Sequence, residues 1–438
     1  MKNLLIICML AIPFLGNAQN DRVYWLHGFG GGVPGRWQLY EQNFQNSRQL
    51  TSSSPSYENN FLNGVLSSAN TVDGQIVNST QNVIIGHSMG GIVSRELERS
   101  FPGIVGGIVT VASPNKGVHA LNSIRSNQVI PAIEAGFQDL VAGPSADITI
   151  NALTVTIAGR TIRQLTDEVY VVLLDMVNNR FVDITRQTAT ELSPNSSYLN
   201  TLNNRNANIP ILNIICEEND EQGLRIGAAA LNPPEEEALH SFDDGELVGR
   251  RNQAASYYKA FKDTYNVLRW TGGIQFAYYT GLKNKYARGE NFLKVNFAAD
   301  FNTIIGAVRT ETYTDYRYVY KCDGGDLDPL PGGRSMAIQP LPLPGEGCDP
   351  VYDIDCPPPS DDCRVVAEYY TATRRVNEGS DGLVPLSTQR MDRMADRDVY
   401  TAEGVNHLEV GNHPRMTEIL NTIFNKTSPP FNRPERSN

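Results

Sequence analysis

The stretch Asn82-Val83-Ile84-Ile85-Gly86-His87-Ser88-Met89-Gly90-Gly91 constrains this chain more than any other. Val83 to Ile85 is an apolar run of buried-strand character, and Ile92, Val93, Arg95, Glu96 and Leu97 continue as a helix. The chain must therefore turn sharply at Gly86-His87-Ser88-Met89-Gly90. In a G-x-S-x-G turn the two glycines carry no Cβ, so strand and helix approach closely and hold the serine in a strained conformation with its hydroxyl exposed. Ser88 is thereby the candidate nucleophile. Stripped of the flanking strand and helix, the same five residues would be an ordinary turn.

A second strand-to-loop transition opens the chain's folded part. Val23-Tyr24-Trp25-Leu26 is an apolar strand, and His27-Gly28-Phe29-Gly30-Gly31-Gly32 follows it. A glycine cluster after such a strand lets backbone N–H groups approach a reacting carbonyl. The two donors expected for an oxyanion are the amides of Phe29 and Met89, the latter following the nucleophile. His27 reads as a structural hydrogen-bonding residue, and the sheet is expected to begin here without earlier strands. The bland alternative is a glycine-rich loop with no duty.

Further along, Arg36 to Asn46 and Asn60 to Ala69 are helix-like, with a polar connection at Ser52 to Ser56 between them. Ile104 to Ala112 and Ile209 to Cys216 are apolar runs of strand length, and a shorter one lies near Val399. Strands alternating with helical stretches predict βα units in a mostly parallel, doubly wound sheet. Between Val118 and about residue 207, apolar stripes at helical spacing (Ile130, Ile133, Phe137 and Leu140) read as helix faces. An insertion beside the nucleophile is also where a substrate-covering lid would sit. Residues 217–376 form a second insertion. It holds a tyrosine-rich helical part (Ala254 to Asn266) and a strand pair (Thr312 to Lys321 with Arg364 to Arg374). A Pro/Gly/Asp-rich loop lies between the two strands. Arg415 to Phe424 is a closing helix, and residues 427–438 read as a flexible polar tail.

Met1 to Ala18 has the form of an export signal: Lys2, an apolar run from Leu4 to Leu15, then Gly16-Asn17-Ala18. No other stretch approaches membrane-span length, so the mature chain, from residue 19, is expected to be secreted or periplasmic. The formal net charge of −11 argues against nucleic acid or an anionic membrane as an electrostatic partner and says nothing against a neutral ester substrate. Export permits disulfides. Cys322, Cys348, Cys356 and Cys363 cluster, allowing three connectivities. The preferred nesting is 322 with 363, at the base of the strand pair, and 348 with 356. Cys216 ends an apolar run and reads as a buried free thiol.

Two further motifs complete a constellation: Glu378-Gly379-Ser380-Asp381-Gly382-Leu383-Val384-Pro385 and Gly404-Val405-Asn406-His407-Leu408-Glu409. Ser88, Asp381 and His407 then follow one another as nucleophile, acid and base. Glu218 and Asp220, in the turn after the Ile209 to Cys216 strand, compete for the acid's role, and His413 competes for the base's. His87 reads as pointing elsewhere on the turn, while His119 and His240 stand in insertions.

Together H-G-F-G-G, G-H-S-M-G-G, S-D-G-L-V-P and N-H-L-E resemble the secreted bacterial triacylglycerol lipases of the α/β-hydrolase superfamily, and more loosely the deacylases of GPI-anchor type. Leu192-Ser193-Pro194-Asn195-Ser196-Ser197-Tyr198-Leu199 resembles the segment such lipases carry before a late strand. The resemblance implies an α/β-hydrolase core over 19–216 and 377–426, and it favours Asp381 as the acid. It also implies a serine esterase or lipase acting on a lipid-like ester through an acyl-enzyme, without a cofactor. Contact with a lipid interface is compatible with it; nucleic-acid binding and an integral span are not expected. Some members hold a structural calcium near the histidine loop; Glu409 lies near that position but lacks a second nearby carboxylate, so no metal is predicted. The same triad would serve an amidase, peptidase or phospholipase. A non-catalytic adhesion protein on a hydrolase scaffold is the alternative from another class.

Overall fold

The computed structural model describes residues 22–28, 37–48, 50–57, 63–121, 156–157, 160–161, 187–218, 244–271, 275–322, 363–392 and 394–435. The chain divides into two compact units, residues 1–307 with 377–438, and residues 308–376. The insertion expected at 217–376 is thus divided between them.

The first unit is built on strands β1 (Arg22–Leu26), β2 (Thr51–Ser53), β3 (Val83–His87) and β4 (Gly107–Val111). Two short strands, β5 (Thr156–Ile157) and β6 (Arg160–Thr161), pair with each other. β7 (Ile211–Glu217) then rejoins the sheet. In the second unit β8 (Val308–Cys322) pairs with β9 (Cys363–Asn377), the strand pair expected there, each strand longer than anticipated. β10 (Val399–Glu403) completes the main sheet, which runs β10-β7-β4-β3-β1-β2, every neighbour parallel. This is the α/β-hydrolase fold. Chain order reverses between β1 and β3, and the crevice beyond the strands' carboxyl ends at such a point is where sheets of this kind bind ligands.

The central strands β1, β3 and β4 bury both faces, and alternate residues supply two separate cores. Val23, Trp25, Val83, Ile85, Val109, Val111 and Ile214 pack on one side. Helices α1 (Gln38–Arg48) and α10 (Pro414–Phe424) cover that side through Trp37, Tyr40, Phe44, Met416, Leu420 and Phe424. Tyr24, Leu26, Ile84 and Ile108 face the other way, against α2 (Val65–Asp73) and α3 (Met89–Ser100). On that same side lie α4 (Gln187–Glu191) and α5 (Ser197–Asn204), through Ala189, Leu199 and Leu202. The last two helices fall in the stretch expected as a lid, 118–207, and they pack on the core. Positions 122–155 and 162–186 lie outside the described residues.

Later in the first unit, α6 (Asp244–Thr271) and α7 (Phe276–Asn291) form a helical hairpin, followed by a wide turn at Phe292–Asn296 and α8 (Phe297–Ile305). Rings hold the two long helices together: Tyr265 stacks on Tyr286 at 5.4 Å and on Tyr279 at 6.2 Å. Phe261 stacks on Tyr286 at 5.4 Å. At Gly289 an added Cβ would come within 2.3 Å of the Tyr258 ring, so only glycine lets the helices approach there. A four-residue helix, α9 (Leu386–Gln389), follows the acid's loop.

Two expectations are corrected. Thr51 to Ser53, read as connection, is an edge strand. It carries no apolar alternation because only one flank pairs, and Ser52 Oγ accepts from Trp25 Nε1 at 2.6 Å. The tail from 427 to 435 is packed: Phe431 joins the α10 side of the core, and Arg433 N donates to Phe424 O at 2.7 Å. The buried Arg48 guanidinium donates to Asn421 at 2.7 Å and Asn425 at 2.9 Å, and to the Arg433 carbonyl. It also lies 5.8 and 5.6 Å from the Phe44 and Phe424 ring centres. The expected export signal, Phe29 and the Cys348 to Cys356 pairing fall outside the described residues. The side chains of Cys322 and Cys363, which bound β8 and β9, do so too. Cys216 is a buried free thiol.

Candidate active site

Ser88 sits where β3 becomes α3, with φ 52° and ψ −124°. A non-glycine residue in that region costs on the order of 1–3 kcal/mol and persists only where its surroundings fix it. The surroundings are tight. Ser88 N donates to Val111 O at 2.8 Å, which ties the turn to β4. A Cβ on Gly86 would meet Gly90 O at 2.4 Å, and one on Gly90 would meet His27 O at 2.6 Å. Glycine at both positions is therefore a condition of the turn, as expected from the sequence.

The loop leaving β1 runs against the same serine. A Cβ on Gly28 would lie 2.6 Å from Ser88 Cβ and 3.2 Å from Ser88 Oγ. Phe29, the next residue, is outside the described set. Met89 is the first residue of α3, and first-turn amides have no partner within their own helix. His27 Nδ1–H donates to Gly28 O at 2.9 Å, and the ring stacks on Tyr57 at 4.0 Å. Burial lowers its pKa.

The other two predicted residues converge on Ser88 from the far end of the chain. His407 follows β10, and its Nε2 lies 2.9 Å from Ser88 Oγ. Its Nδ1 lies 2.7 Å from Asp381 Oδ2. Asp381 is fully buried; its other oxygen accepts from Leu383 N at 3.0 Å and Val384 N at 2.7 Å. His407 N in turn donates to Asp381 O at 2.8 Å, so the two loops are joined by backbone as well as by side chain. A carboxylate so bound fixes the imidazole with Nδ1 as donor and leaves Nε2 to accept from the serine.

The competing residues stand elsewhere. Glu218 holds the acid's loop through its backbone, Glu218 N donating to Ser380 O at 2.7 Å. Asp220 and His240 lie outside the described residues. His413 caps α10, accepting from Arg415 N at 3.1 Å. His119 packs against Gly306, with burial lowering its pKa. His87 departs from expectation: its ring centre is 4.6 Å from that of His407. Among the described residues no group of three His, Cys, Asp or Glu side chains could hold a metal.

One buried network had no sequence signal. Gln389 at the end of α9 bonds both backbone groups of Cys216, at 2.7 and 2.9 Å, and donates to Val384 O at 2.8 Å. Its own carbonyl accepts from Asn115 Nδ2 at 2.6 Å, and Asn115 Oδ1 accepts from Arg95 Nη1 at 2.9 Å. Arg95 continues to Leu202 O at 3.1 Å and Asn203 at 2.7 Å, and burial pushes its pKa down to about 10. The network thus ties the nucleophile's helix to the acid's loop. Burial, and secondarily the charge of Asp381, pushes the Cys216 thiol well up, keeping it neutral inside this cluster.

Residues 45–195 match the family described as PGAP1-like alpha/beta domain. Over that third of its length the chain is similar to this family. That match includes β3, Ser88 and α3 but neither Asp381 nor His407, which the folded sheet brings to the domain's serine. No protein of curated function matches the chain. Solved structures similar to it include an extracellular α/β-hydrolase from a Paenibacillus species. It is 16% identical with a TM-score of 0.21, and the alignment covers 30% of this chain and 63% of that one. A lipase-esterase related protein from Clostridium acetobutylicum is 14% identical with a TM-score of 0.24, covering 46% and 76% of the two chains. A hydrolase from Oleispira antarctica is 15% identical with a TM-score of 0.26, covering 48% and 79%. The chain spans less than two thirds of the first of these. At such similarity they add nothing to the fold assignment, which rests on the parallel sheet and the PGAP1-like match.

Proposed function

We propose that this protein is an exported serine hydrolase that cleaves a carboxylic ester of a lipid-like substrate. The observation that carries the reading is the bridging position of His407, within hydrogen-bond distance of both Ser88 Oγ and Asp381 Oδ2. In this reading Ser88 Oγ attacks the acyl carbonyl while His407 Nε2 takes its proton, and Asp381 stabilises the imidazolium. The amides of Phe29 and Met89 receive the negative charge developing on the carbonyl oxygen. The C–O bond to the alcohol breaks, the alcohol leaves with the proton from His407, and water then releases the acid from Ser88 by the same steps. No cofactor is needed.

The PGAP1-like match favours an acylated lipid over a peptide or amide as the substrate class. The leader-like sequence of residues 1–18 supports export, which would permit the disulfides proposed among Cys322, Cys348, Cys356 and Cys363. No helix among the described residues is long and apolar enough to cross a membrane. The test is Ser88→Ala assayed on chromogenic acyl esters of graded chain length, with a fluorophosphonate probe on the parent chain. Esterase activity retained by Ser88→Ala, or a parent chain inert to the probe, would overturn the reading.

A further inference from the structure

The helical hairpin ends in large apolar side chains that are exposed among the described residues. Trp270 is 70% exposed, Tyr278 64%, Val267 63% and Phe276 42%. The Trp270 and Phe276 rings lie 5.7 Å apart where α6 ends and α7 begins, with Val267 three residues before the first and Tyr278 two residues after the second. The hairpin's inner rings meet one another, as Tyr265, Tyr286 and Phe261 do, whereas these outer ones are directed to solvent.

Charge identifies what would cover them. The formal net charge of the chain is −11, yet Lys259, Lys262, Arg269, Lys283, Lys285 and Arg288 stand against the single acid Asp263 between positions 257 and 288. Asp263 pairs with Lys259, and Glu290 further back holds Lys262. The Arg269 guanidinium lies 4.8 Å over the Trp270 ring, at the tip itself. At about 1.5 Å of rise per residue, Lys283 and Lys285 lie roughly 10–14 Å behind the aromatic tip, forming with Arg269 a cationic collar. We infer that this tip docks on an anionic lipid surface, the rings entering the headgroup layer and the collar facing lipid phosphates.

The geometry disfavours other occupants. The end of two adjacent helices offers a footprint on the order of 200 Å², against roughly 800 Å² per partner in a stable protein interface. Two copies meeting tip to tip would oppose like charges. Trp and Tyr rings backed by Lys and Arg match instead the interfacial zone of a bilayer, where amphipathic rings and long cationic stems are both accommodated. The inference is independent of the ester-hydrolase reading.

The chain has three tryptophans, and Trp25 and Trp37 are buried, so Trp270 reports the tip by itself. The full chain is mixed with phosphatidylcholine vesicles with and without phosphatidylglycerol, and followed by flotation and by indole emission. Anionic vesicles should bind it at low salt, blue-shift the emission and, when brominated, quench it. Val267→Ser with Tyr278→Ser should abolish the shift, and Lys283→Glu with Lys285→Glu should weaken binding about tenfold or more. Ser88→Ala should bind like the parent, which separates failure here from failure of the hydrolase reading. Emission of the parent chain unchanged by brominated anionic vesicles would overturn the inference, whatever the variants do. So would binding that both double variants retain, or self-association without lipid that the tip variant dissolves.

Discussion

Two parts of the first unit invert the usual placement of side chains in opposite senses. At the carboxyl ends of β3 and β10, polar groups are buried: Ser88, Asp381, His407, Asn115 and Gln389 are all withdrawn from water. At the far end of α6 and α7, Trp270 and Tyr278 face it. Buried polar groups and exposed apolar clusters are the informative departures from a globular rule that otherwise says little. The comparison teaches where each looks for its partner. The buried group finds it within the chain, with Asp381 taking two backbone amides and an imidazole. The exposed rings find only part of theirs there, in each other and in Arg269.

The comparison breaks most decisively if the two regions are not separable. Ser88→Ala should lower ester turnover by about a thousandfold or more and leave vesicle binding unchanged; loss of both together would mean one functional surface. Asp381→Asn should lower turnover by up to about 10⁴-fold, since the wrong tautomer of His407 is then favoured. Asp220→Asn should stay near the parent. Steady-state kinetics on one soluble ester distinguishes them, and the reverse ranking would move the acid's role to the turn after β7.

Gln389→Leu tests whether the buried network positions the acid. It would strip the Cys216 backbone and Val384 O of their partner. The expected loss is roughly tenfold or more in kcat with KM for a soluble ester little changed. An unchanged kcat in a folded variant would make the network merely structural.

Glu96, on the flank of the nucleophile's helix, should respond to pH. Burial raises its pKa, but hydrogen bonds from Arg99, Ser100 and Tyr198, with the charge of Arg99, outweigh that and hold it below the usual 4.5. A depressed carboxylate contributes stability above its unfolded value and loses it as pH falls through the folded one. Glu96→Gln should therefore cost about 1–2 kcal/mol at neutral pH, with the gap to the parent closing in acid below 4.5; urea melts at several pH values read this directly. A constant gap would remove the charge from the account. Smallest is Tyr278→Ser, expected to change stability by no more than about 0.5 kcal/mol and soluble-ester turnover less than twofold. A larger destabilisation would mean the ring is part of the hairpin's own packing.

The sheet was legible in the sequence because its strands are continuous apolar runs bounded by glycine-rich or polar turns. Val83 to Ile85 is strand as read, the run from Ile209 to Cys216 gives β7 from Ile211, and the closing helix lies within one residue of its expected bounds; α6 begins ten residues before the expected Ala254, and α7 and α8 were not read at all. Thr51 to Ser53 was not legible: an edge strand paired on one flank needs no apolar pattern. The approach of Ser88, Asp381 and His407 followed from chain order and resemblance. The supporting shell did not, because Gln389 and Asn115 act through long-range bonds to backbone, which leave no periodic mark. The nearness of the His87 ring to His407 was missed for a related reason. Period-2 alternation sends His87 to the face opposite Ile84 but does not say which later loop returns there.

The clamp around Arg48 has a practical consequence for anyone shortening this chain. Cutting just after α10 would strip Phe431 from the sheet's underside, and the Arg433 carbonyl from an interior guanidinium. A cation would be stranded beside rings newly open to solvent. Residues 427–435 thus act as a plug, and an affinity handle belongs outside it, beyond position 435.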